Sequence, residues 1–240
     1  MAAALGPAYQ ALGLLALPAR RVAAFRHART GIVLHLVPGG SVRLGQQGGL
    51  PEEQPVRAVT LAPFLAGRAP VRQEEWDRLG GERAREQDDP DLPAHGVSWL
   101  AARDWLARAG DGLRLPREDE WEHACRAGSA TAWWWGERFD AGAGWCLDHA
   151  GGGPHPVREH AARSNGLGLI DCAGNVSEWC QDARETAPQG GDYWQEWDPG
   201  RVHRGGSFDQ PASRARSSFR SGAAPDKRYR DLGLRAFRSL

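Results

Sequence analysis

Leu115-Pro116-Arg117-Glu118-Asp119-Glu120-Trp121-Glu122 is the stretch that decides the fold of this 240-residue chain. Arg117 follows a proline, and the acidic cluster after it fills a first helical turn, where the helix dipole favours negative charge. Trp121 begins an apolar stripe that continues through Ala124 and Cys125. The stretch therefore predicts a short helix with one buried face.

Two further helices are predicted upstream of this stretch. Apolar residues recur at three- and four-residue spacing from Leu100 to Ala109, with Ser98 as a plausible N-cap and Gly110 as the terminator. Residues 70–76 open a shorter helix. These segments place the helices in the middle third of the chain.

The N-terminal part predicts strands. Apolar residues alternate over 32–36 and again over 42–44, which indicates two strands joined by a tight turn at 38–40. Residues 56–61 predict another strand. Residues 1–29 are interpreted as an N-terminal extension that is helical or poorly ordered, so that the domain itself comprises residues 30–240.

Composition indicates one loop-rich domain. Thirty-one glycines and 16 prolines favour many turns, and 11 tryptophans can hold together a fold that is poor in regular structure. Beyond residue 129 the chain is predicted to form loops and short strands. The predicted fold class is α+β.

Charge and hydropathy exclude several classes of partner. The formal net charge is zero, so no global attraction to nucleic acid or to an anionic membrane is expected. No apolar stretch approaches the roughly 18 residues that a membrane span needs. Without a basic residue before the N-terminal apolar run, a secretory signal is not indicated. The predicted location is the cytoplasm.

Four cysteines, Cys125, Cys146, Cys172 and Cys180, are too few for a disulfide scaffold in a domain of this size. The favoured interpretation is free, buried thiols. An alternative is metal ligation by Cys146 with His149 and His155, although this spacing matches no tight zinc pattern.

A series of segments, taken in order, resembles the formylglycine-generating enzymes, or sulfatase-modifying factors, across residues 30–238. The resemblance implies a C-type-lectin-like fold. Relatives of this type include the C-terminal domains of sulfoxide synthases in ergothioneine biosynthesis and the variable proteins of diversity-generating retroelements. The matching segments are Leu36-Val37-Pro38-Gly39-Gly40 with Leu44-Gly45, Pro70-Val71 with Glu74-Glu75-Trp76, Val97-Ser98-Trp99, the 115–122 stretch, Gly174-Asn175-Val176-Ser177-Glu178-Trp179, residues 201–208 and Asp231-Leu232-Gly233-Leu234-Arg235.

The resemblance also supplies a catalytic test. Oxidase members carry two cysteines after a Gly-Gly-Ser motif, and these bind copper(I), a soft ion that thiolates suit. The matching positions here hold Gln210 and Ala215. Neither side chain supplies a thiolate, so we expect neither bound copper nor formylglycine generation. The alternative is a metal-dependent oxidase or sulfoxide-synthase-like enzyme, or an accessory subunit of one. Residues 1–29 are too short for the helical iron-binding domain of such synthases.

A calcium site is implied at the positions that match the family's metal ligands. Asp171 and Glu178 would provide carboxylate oxygens, and Gly174 and Val176 would provide backbone carbonyls, which are the hard donors that calcium takes. The alternative is that the two carboxylates make capping or salt-bridge contacts in a rigid loop.

Arginines predominate from residue 201 to the C-terminus. One interpretation is that they pin loops by bonding carbonyls and carboxylates. The other is an electropositive surface that binds a protein or small-molecule ligand, one form of which is a receptor diversified by a retroelement. The domain would then be a pseudoenzyme that acts by binding. Candidate residues of this surface are Phe208, Asp209, Gln210, Arg214, Arg216, Arg220, Arg228 and Arg230.

Overall fold

The computed structural model describes residues 5–18, 20–82, 89–157, 163–184 and 200–240. Within these ranges the α-helices are α1 (Gln73–Asp77), α2 (Trp99–Ala109) and α3 (Glu118–Arg126). Short 3-10 helices cover Pro51–Glu53 and Ala212–Ala215. The strands are β1 (Tyr9–Ala16), β2 (Arg21–His27), β3 (Val33–Val37), β4 (Gly40–Leu44), β5 (Arg57–Leu61), β6 (Phe64–Gly67), β7 (Leu113–Arg114), β8 (Ser177–Ala183), β9 (Arg201–Arg204), β10 (Arg220–Ala223), β11 (Leu232–Gly233) and β12 (Phe237–Ser239).

The strands form two main sheets and a separate hairpin. The larger sheet has the order β1-β2-β3-β6-β12-β7, so strand β12 near the C-terminus lies between strands from the first half of the chain. The smaller sheet has the order β10-β9-β8-β11. Strands β4 and β5 pair only with each other among the described residues. Of the eight predicted surface residues, only Arg220 lies on a strand of the smaller sheet, and the others lie on its connections.

The N-terminal segment differs from its prediction. Residues 9–27 form β1 and β2, which pair antiparallel and extend the larger sheet through β3. Val22, Ala24 and Phe25 are buried, and the Tyr9 hydroxyl donates to the Asp111 carbonyl at 2.8 Å. Alanine and leucine are strong helix formers, but intrinsic helix propensity differs by less than about 1 kcal/mol per residue, so pairing with a neighbouring strand overrides it here. The expected helical or poorly ordered extension was therefore wrong for these residues.

The three predicted helices are confirmed. The Ser98 hydroxyl accepts a hydrogen bond from the Ala101 amide at 3.2 Å and so caps α2, and Gly110 ends that helix at φ +75°. In α3 the Glu120 carboxylate accepts the Arg117 backbone N–H at 2.8 Å, which satisfies a donor that the helix leaves unpaired.

The predicted turn at 38–40 does not make a hairpin. Strand β3 pairs with β2 and β6, whereas β4 pairs with β5. The alternation predicted both strands correctly, but the choice of partner depends on contacts distant in sequence. The sequence of a strand shows which of its faces is apolar, but it does not show which strand pairs with it.

Tryptophans connect the helices to the sheets. Trp76 and Trp105 stack with ring centroids 5.2 Å apart, and the Trp105 indole donates to the Trp76 carbonyl at 2.8 Å. The Trp179 indole, on β8, donates to the Val97 carbonyl just before α2. Trp105, Trp121 and Trp179 are almost completely buried. Among the described residues no helix has both the length and the apolar character to cross a membrane.

Candidate functional site

A sharp turn after β9 positions the segment that matches the family's catalytic region. Gly206 adopts φ +64°, and a Cβ there would lie 2.7 Å from the Arg214 carbonyl oxygen. Only glycine permits both this conformation and this close approach. The turn therefore packs residues 214–215 against residue 206 and fixes the path of the intervening loop.

Gln210 and Ala215 lie on this loop in different surroundings. The Gln210 carbonyl accepts the Leu147 amide at 2.9 Å, and its side-chain amide donates to Asp231 at 3.4 Å. The Gln210 Oε1 atom is buried and has no hydrogen-bond partner in the described part of the chain. Ala215 is buried in the second 3-10 helix. An amide and a methyl group thus occupy the two positions.

One cysteine does lie close to this loop. Cys146 forms a small apolar cluster with Ala173 and Ala215. Burial, with a smaller contribution from Asp148, raises the pKa of the Cys146 thiol to about 12. A neutral thiol is a poor ligand for copper(I), since the thiolate is the ligand. The aromatic side chains that pack against the cluster are Trp133, Trp135 and Phe139.

The other three cysteines are also buried, and all four are free, as predicted. The Cys125 thiol lies 3.4 Å from the Cys172 carbonyl oxygen and 3.7 Å from the Ser217 hydroxyl. The alternative set of Cys146, His149 and His155 does not converge: no group of three or more potential ligands that could hold a metal ion occurs in the residues described.

The residues of the implied calcium site make protein contacts instead. Both Glu178 carboxylate oxygens bond to the Arg235 guanidinium, at distances down to 2.7 Å, and one also accepts the Trp121 indole N–H at 2.6 Å. The Asp171 carboxylate accepts the Asn175 side-chain amide at 3.0 Å and lies 3.3 Å from a ring nitrogen of His155.

These contacts do not fit a calcium ion. Calcium takes six to eight oxygen ligands, whereas a buried guanidinium faces Glu178 here. Burial alone would lower the pKa of Arg235, but Glu178 outweighs it and the pKa is raised. Gly174 has a structural reason as well, because a Cβ there would lie 2.1 Å from the Trp145 carbonyl oxygen. The arrangement matches the alternative of salt bridges in a rigid loop.

Three of the eight residues of the predicted ligand surface line one cavity. Arg214, Arg216 and Arg220 line a cavity of about 310 Å³ together with Arg184 at the end of β8. We call this the arginine cavity. Its remaining lining residues are Leu50, Glu52, Ser213, Phe219 and Ser221.

The other predicted residues lie outside the lining of the arginine cavity. Asp209 and Arg230 form an exposed bidentate ion pair, with distances of 2.6 and 2.9 Å, and Arg230 lies over the buried Phe208 ring. This pairing lowers the pKa of Asp209. Arg228 pairs with Glu82 at 2.7 Å beside a smaller cavity of about 160 Å³.

Arginines of this region divide between the two roles that the sequence left open. Arg204 is almost completely buried, bonds the Ser218 and Phe219 carbonyls at 2.6 and 2.7 Å, and pairs with Glu122. It pins the loop that carries the cavity wall. Arg214 is exposed, and its side chain makes no hydrogen bond or ion pair within the described ranges; its guanidinium lies 5.9 Å from the Phe219 ring centroid.

The sequence did not predict Arg184, Leu50, Glu52 or Phe219 as site residues. They come from three separate parts of the chain. The pairing of β8, β9 and β10 brings Arg184 near Phe219, and the contacts of Glu53 with Arg216 and Ser218 bring in the segment of Leu50 and Glu52. No local motif marks them. Phe219 lies within the arginine-rich segment that begins at residue 201, so the sequence could have suggested it. Arg184 lies outside that segment.

A mixed fold with short helices, two sheets and long irregular connections defines a C-type-lectin-like domain. Residues 24–240 match the model of the sulfatase-modifying factor enzyme 1-like domain, and the chain belongs to that family. The resemblance that the motifs carried is confirmed.

Two curated relatives differ in the activity that their names state. A formylglycine-generating enzyme from Streptomyces coelicolor is 35% identical over 187 residues, covering 69% of this chain and 58% of the relative. The inactive C-alpha-formylglycine-generating enzyme 2 of Mus musculus is 34% identical over 191 residues, covering 73% of this chain and 58% of the relative. The chain thus spans somewhat more than half the length of each.

Among solved structures, variable protein 1 of Treponema denticola superposes with a TM-score of 0.73. The match covers 98% of this chain and all of that protein, at 22% sequence identity. This similarity confirms the C-type-lectin-like fold.

Proposed function

We propose that this domain is a non-oxidising member of the family that binds a protein or small-molecule ligand through its C-terminal, arginine-rich segment. One observation carries the proposal. The segment in which oxidase members hold two cysteines here holds Gln210 and Ala215, and residues 213–221 of the same segment line the arginine cavity.

The chemistry of the loop supports the loss of oxidase activity. A copper(I) site needs thiolates, and the thiol that packs against Ala215, Cys146, is kept neutral by burial. The mouse relative whose name calls it inactive covers a similar share of this chain to the Streptomyces enzyme. Overall similarity within the family therefore does not decide between an active and an inactive member, and the site residues must.

Diversification by a retroelement stays a prediction within this proposal. The Treponema variable protein shares the fold, and fold alone does not assign a role. A reverse-transcriptase gene beside the coding sequence, together with a near-copy of the DNA for the C-terminal segment, would establish it. Their absence would leave an undiversified binding module.

Oxygen consumption tests the loss of activity. The purified protein is supplied with copper(I) and a cysteine-containing peptide, and oxygen uptake is followed with an electrode, with an active family member as the positive control. We expect uptake no faster than in the protein-free sample. Peptide-dependent uptake that disappears in the Cys146→Ala variant would instead establish an oxidase built around that thiol.

The enzymatic alternative is tested in the same samples by metal analysis. A metal-dependent oxidase, or an accessory subunit that completes one, should retain iron or copper near one equivalent after purification. We expect neither metal at that level. Retention of either would contradict the non-oxidising role and would direct attention to the loop around Gln210.

A further inference from the structure

The arginine cavity has an unusual balance of charge. Among the described lining residues, four guanidinium groups, from Arg184, Arg214, Arg216 and Arg220, stand against a single carboxylate, that of Glu52. The two carboxylates that pair with lining arginines, Glu53 and Glu118, are not lining residues themselves. The cavity therefore presents an excess of positive charge to whatever enters it.

Two of these arginines are held in place by buried partners. Arg216 donates to the buried Glu53 at 2.5 Å and to the Ser213 carbonyl at 2.6 Å. Arg220 donates through one nitrogen to Glu118 at 2.7 Å. A guanidinium has five N–H donors, so each keeps donors that these bonds do not use. These ion pairs orient the two guanidinium groups and leave some of their N–H donors free for a ligand.

Arg184 and Arg214 complete the cluster in different ways. A Cβ on Gly222 would lie 2.6 Å from the Arg184 Cδ, so the Arg184 stem packs directly on the glycine backbone. Burial lowers the pKa of Arg184, and Arg220 adds repulsion. The Arg214 guanidinium is exposed and makes no hydrogen bond or ion pair within the described segments, so it is available to a ligand.

The other lining residues indicate a ligand that is larger than an inorganic ion. Leu50 and Phe219 give the cavity an apolar wall, and Ser213 and Ser221 add hydroxyl groups. Guanidinium groups recognise phosphate and sulfate oxygens bidentately, and an aromatic ring offers a surface for a carbon skeleton. At about 310 Å³ the cavity is at the small end of the range for small-molecule sites.

We propose that the arginine cavity binds a small organic phosphate or sulfate monoester. The ester oxygens lie against Arg184, Arg214 and Arg220, and the organic group lies against Leu50 and Phe219. This inference names the ligand class for the binding role proposed above, and rests on it.

Calorimetric titration tests the proposal at fixed ionic strength. The probes are phenyl phosphate, phenyl sulfate, inorganic phosphate, inorganic sulfate and, as an uncharged control, phenyl glucoside. We expect both aryl monoesters to bind more tightly than the inorganic ions, and the glucoside not to bind. The ratio of the two aryl affinities distinguishes a phosphate ligand from a sulfate ligand.

Two matched variants locate the binding. Arg214→Gln removes an exposed guanidinium that makes no bond within the described residues, so the fold should be unaffected. We expect the Kd for the aryl monoesters to rise about tenfold or more, the size of effect that loss of a charge-assisted hydrogen bond produces. Arg228→Gln removes the same charge from an exposed arginine outside the cavity and should leave the Kd unchanged. Arg214→Lys keeps the charge but not the fork and should bind with intermediate affinity.

Two outcomes overturn the inference. One is an absence of aryl ester binding to the wild type at millimolar concentration; the other is an equal Kd for wild type and Arg214→Gln. Neither outcome bears on oxygen uptake. The non-oxidising role can therefore hold even if the proposed phosphate or sulfate ligand is rejected. Conversely, peptide-dependent oxygen uptake would reject the non-oxidising role even if the esters bind.

Discussion

Buried charges hold the C-terminal half of this domain together. The Arg235 guanidinium, 1% exposed, bonds both oxygens of Glu178, which is completely buried, and also donates to the Gly67 and Ile170 carbonyls. One side chain thus joins β6, β8 and the loop before β8. A buried pair of this kind contributes little net stability, but removal of one partner leaves the other charge buried and unpaired.

The Arg235→Met variant should therefore be strongly destabilised. We expect a loss of about 3–5 kcal/mol in the free energy of unfolding, measured by urea denaturation, because Glu178 keeps a charge without a partner. Arg230→Met, which breaks the exposed pair with Asp209, should cost less than about 1 kcal/mol. The double variant Arg235→Met/Glu178→Met should be more stable than Arg235→Met alone. Equal losses for Arg235→Met and Arg230→Met would contradict this account.

His203 gives the domain a dependence on pH. Burial chiefly, with repulsion from Arg184 and Arg214, lowers the pKa of His203 from 6.5 to about 3. The folded state keeps the ring neutral, whereas the unfolded chain takes up a proton below pH 6.5. Stability should therefore fall as the pH is lowered from about 6.5 towards 3, by up to about 1.4 kcal/mol per pH unit from this group.

Comparison with His203→Gln isolates this contribution, because glutamine does not titrate. Urea midpoints measured from pH 7 to pH 4 should fall less steeply in the variant than in the wild type. Parallel slopes would mean that His203 is protonated in the folded state over this range.

At the scale of elements, the N-terminal hairpin is a full part of the larger sheet. Strand β2 has a partner on each side, β1 and β3, and four of its seven residues are buried. The Tyr9 and His27 rings lie 5.1 Å apart at the start of the hairpin, and His27 also contacts Asp111 at 3.1 Å. These contacts tie the hairpin to the turn before β7.

Hydrogen exchange should detect this hairpin directly. Amide protons of β2 that pair with β1 or β3 should exchange about as slowly as those of β3, since opening them requires the sheet to open. The exposed amides near Gly48 provide the fast reference. Exchange in β2 as fast as at Gly48 would restore the original interpretation of a poorly ordered extension.

For the whole molecule, protein contacts already engage the side chains that the family resemblance assigns to calcium. The carboxylates of the implied calcium site neutralise arginine or bond an amide, and Gly174 is needed for a close backbone approach. The four tryptophans Trp76, Trp105, Trp121 and Trp179 supply much of the buried apolar area that a loop-rich fold requires.

Chelation should consequently have little effect on thermal stability. We expect the same Tm, within the error of scanning calorimetry, with millimolar calcium and with EDTA, because Glu178 is already engaged by Arg235. A calcium-dependent rise of several degrees that Glu178→Gln abolishes would support the calcium site that the family resemblance implied.

The sequence by itself determined the family, the three helices and the lack of cysteines at positions 210 and 215. These depend on local patterns: the acidic first turn at residues 118–120, the apolar spacing from Leu100 to Ala109, and the identity of two side chains. Local patterns act through hydrogen bonds and burial within a few residues, and so a sequence displays them directly.

The tertiary structure alone decided which residues share a site. It turned residues 9–27 into strands, engaged Glu178 with Arg235, brought Cys146 to Ala215, and placed Arg184 beside Arg214. Each of these depends on strand pairing or side-chain packing between distant segments. The free energy of such contacts depends on both segments together and is not visible in the sequence of either one alone. For that reason the sequence could not show that three of the eight predicted surface residues line one cavity with Arg184.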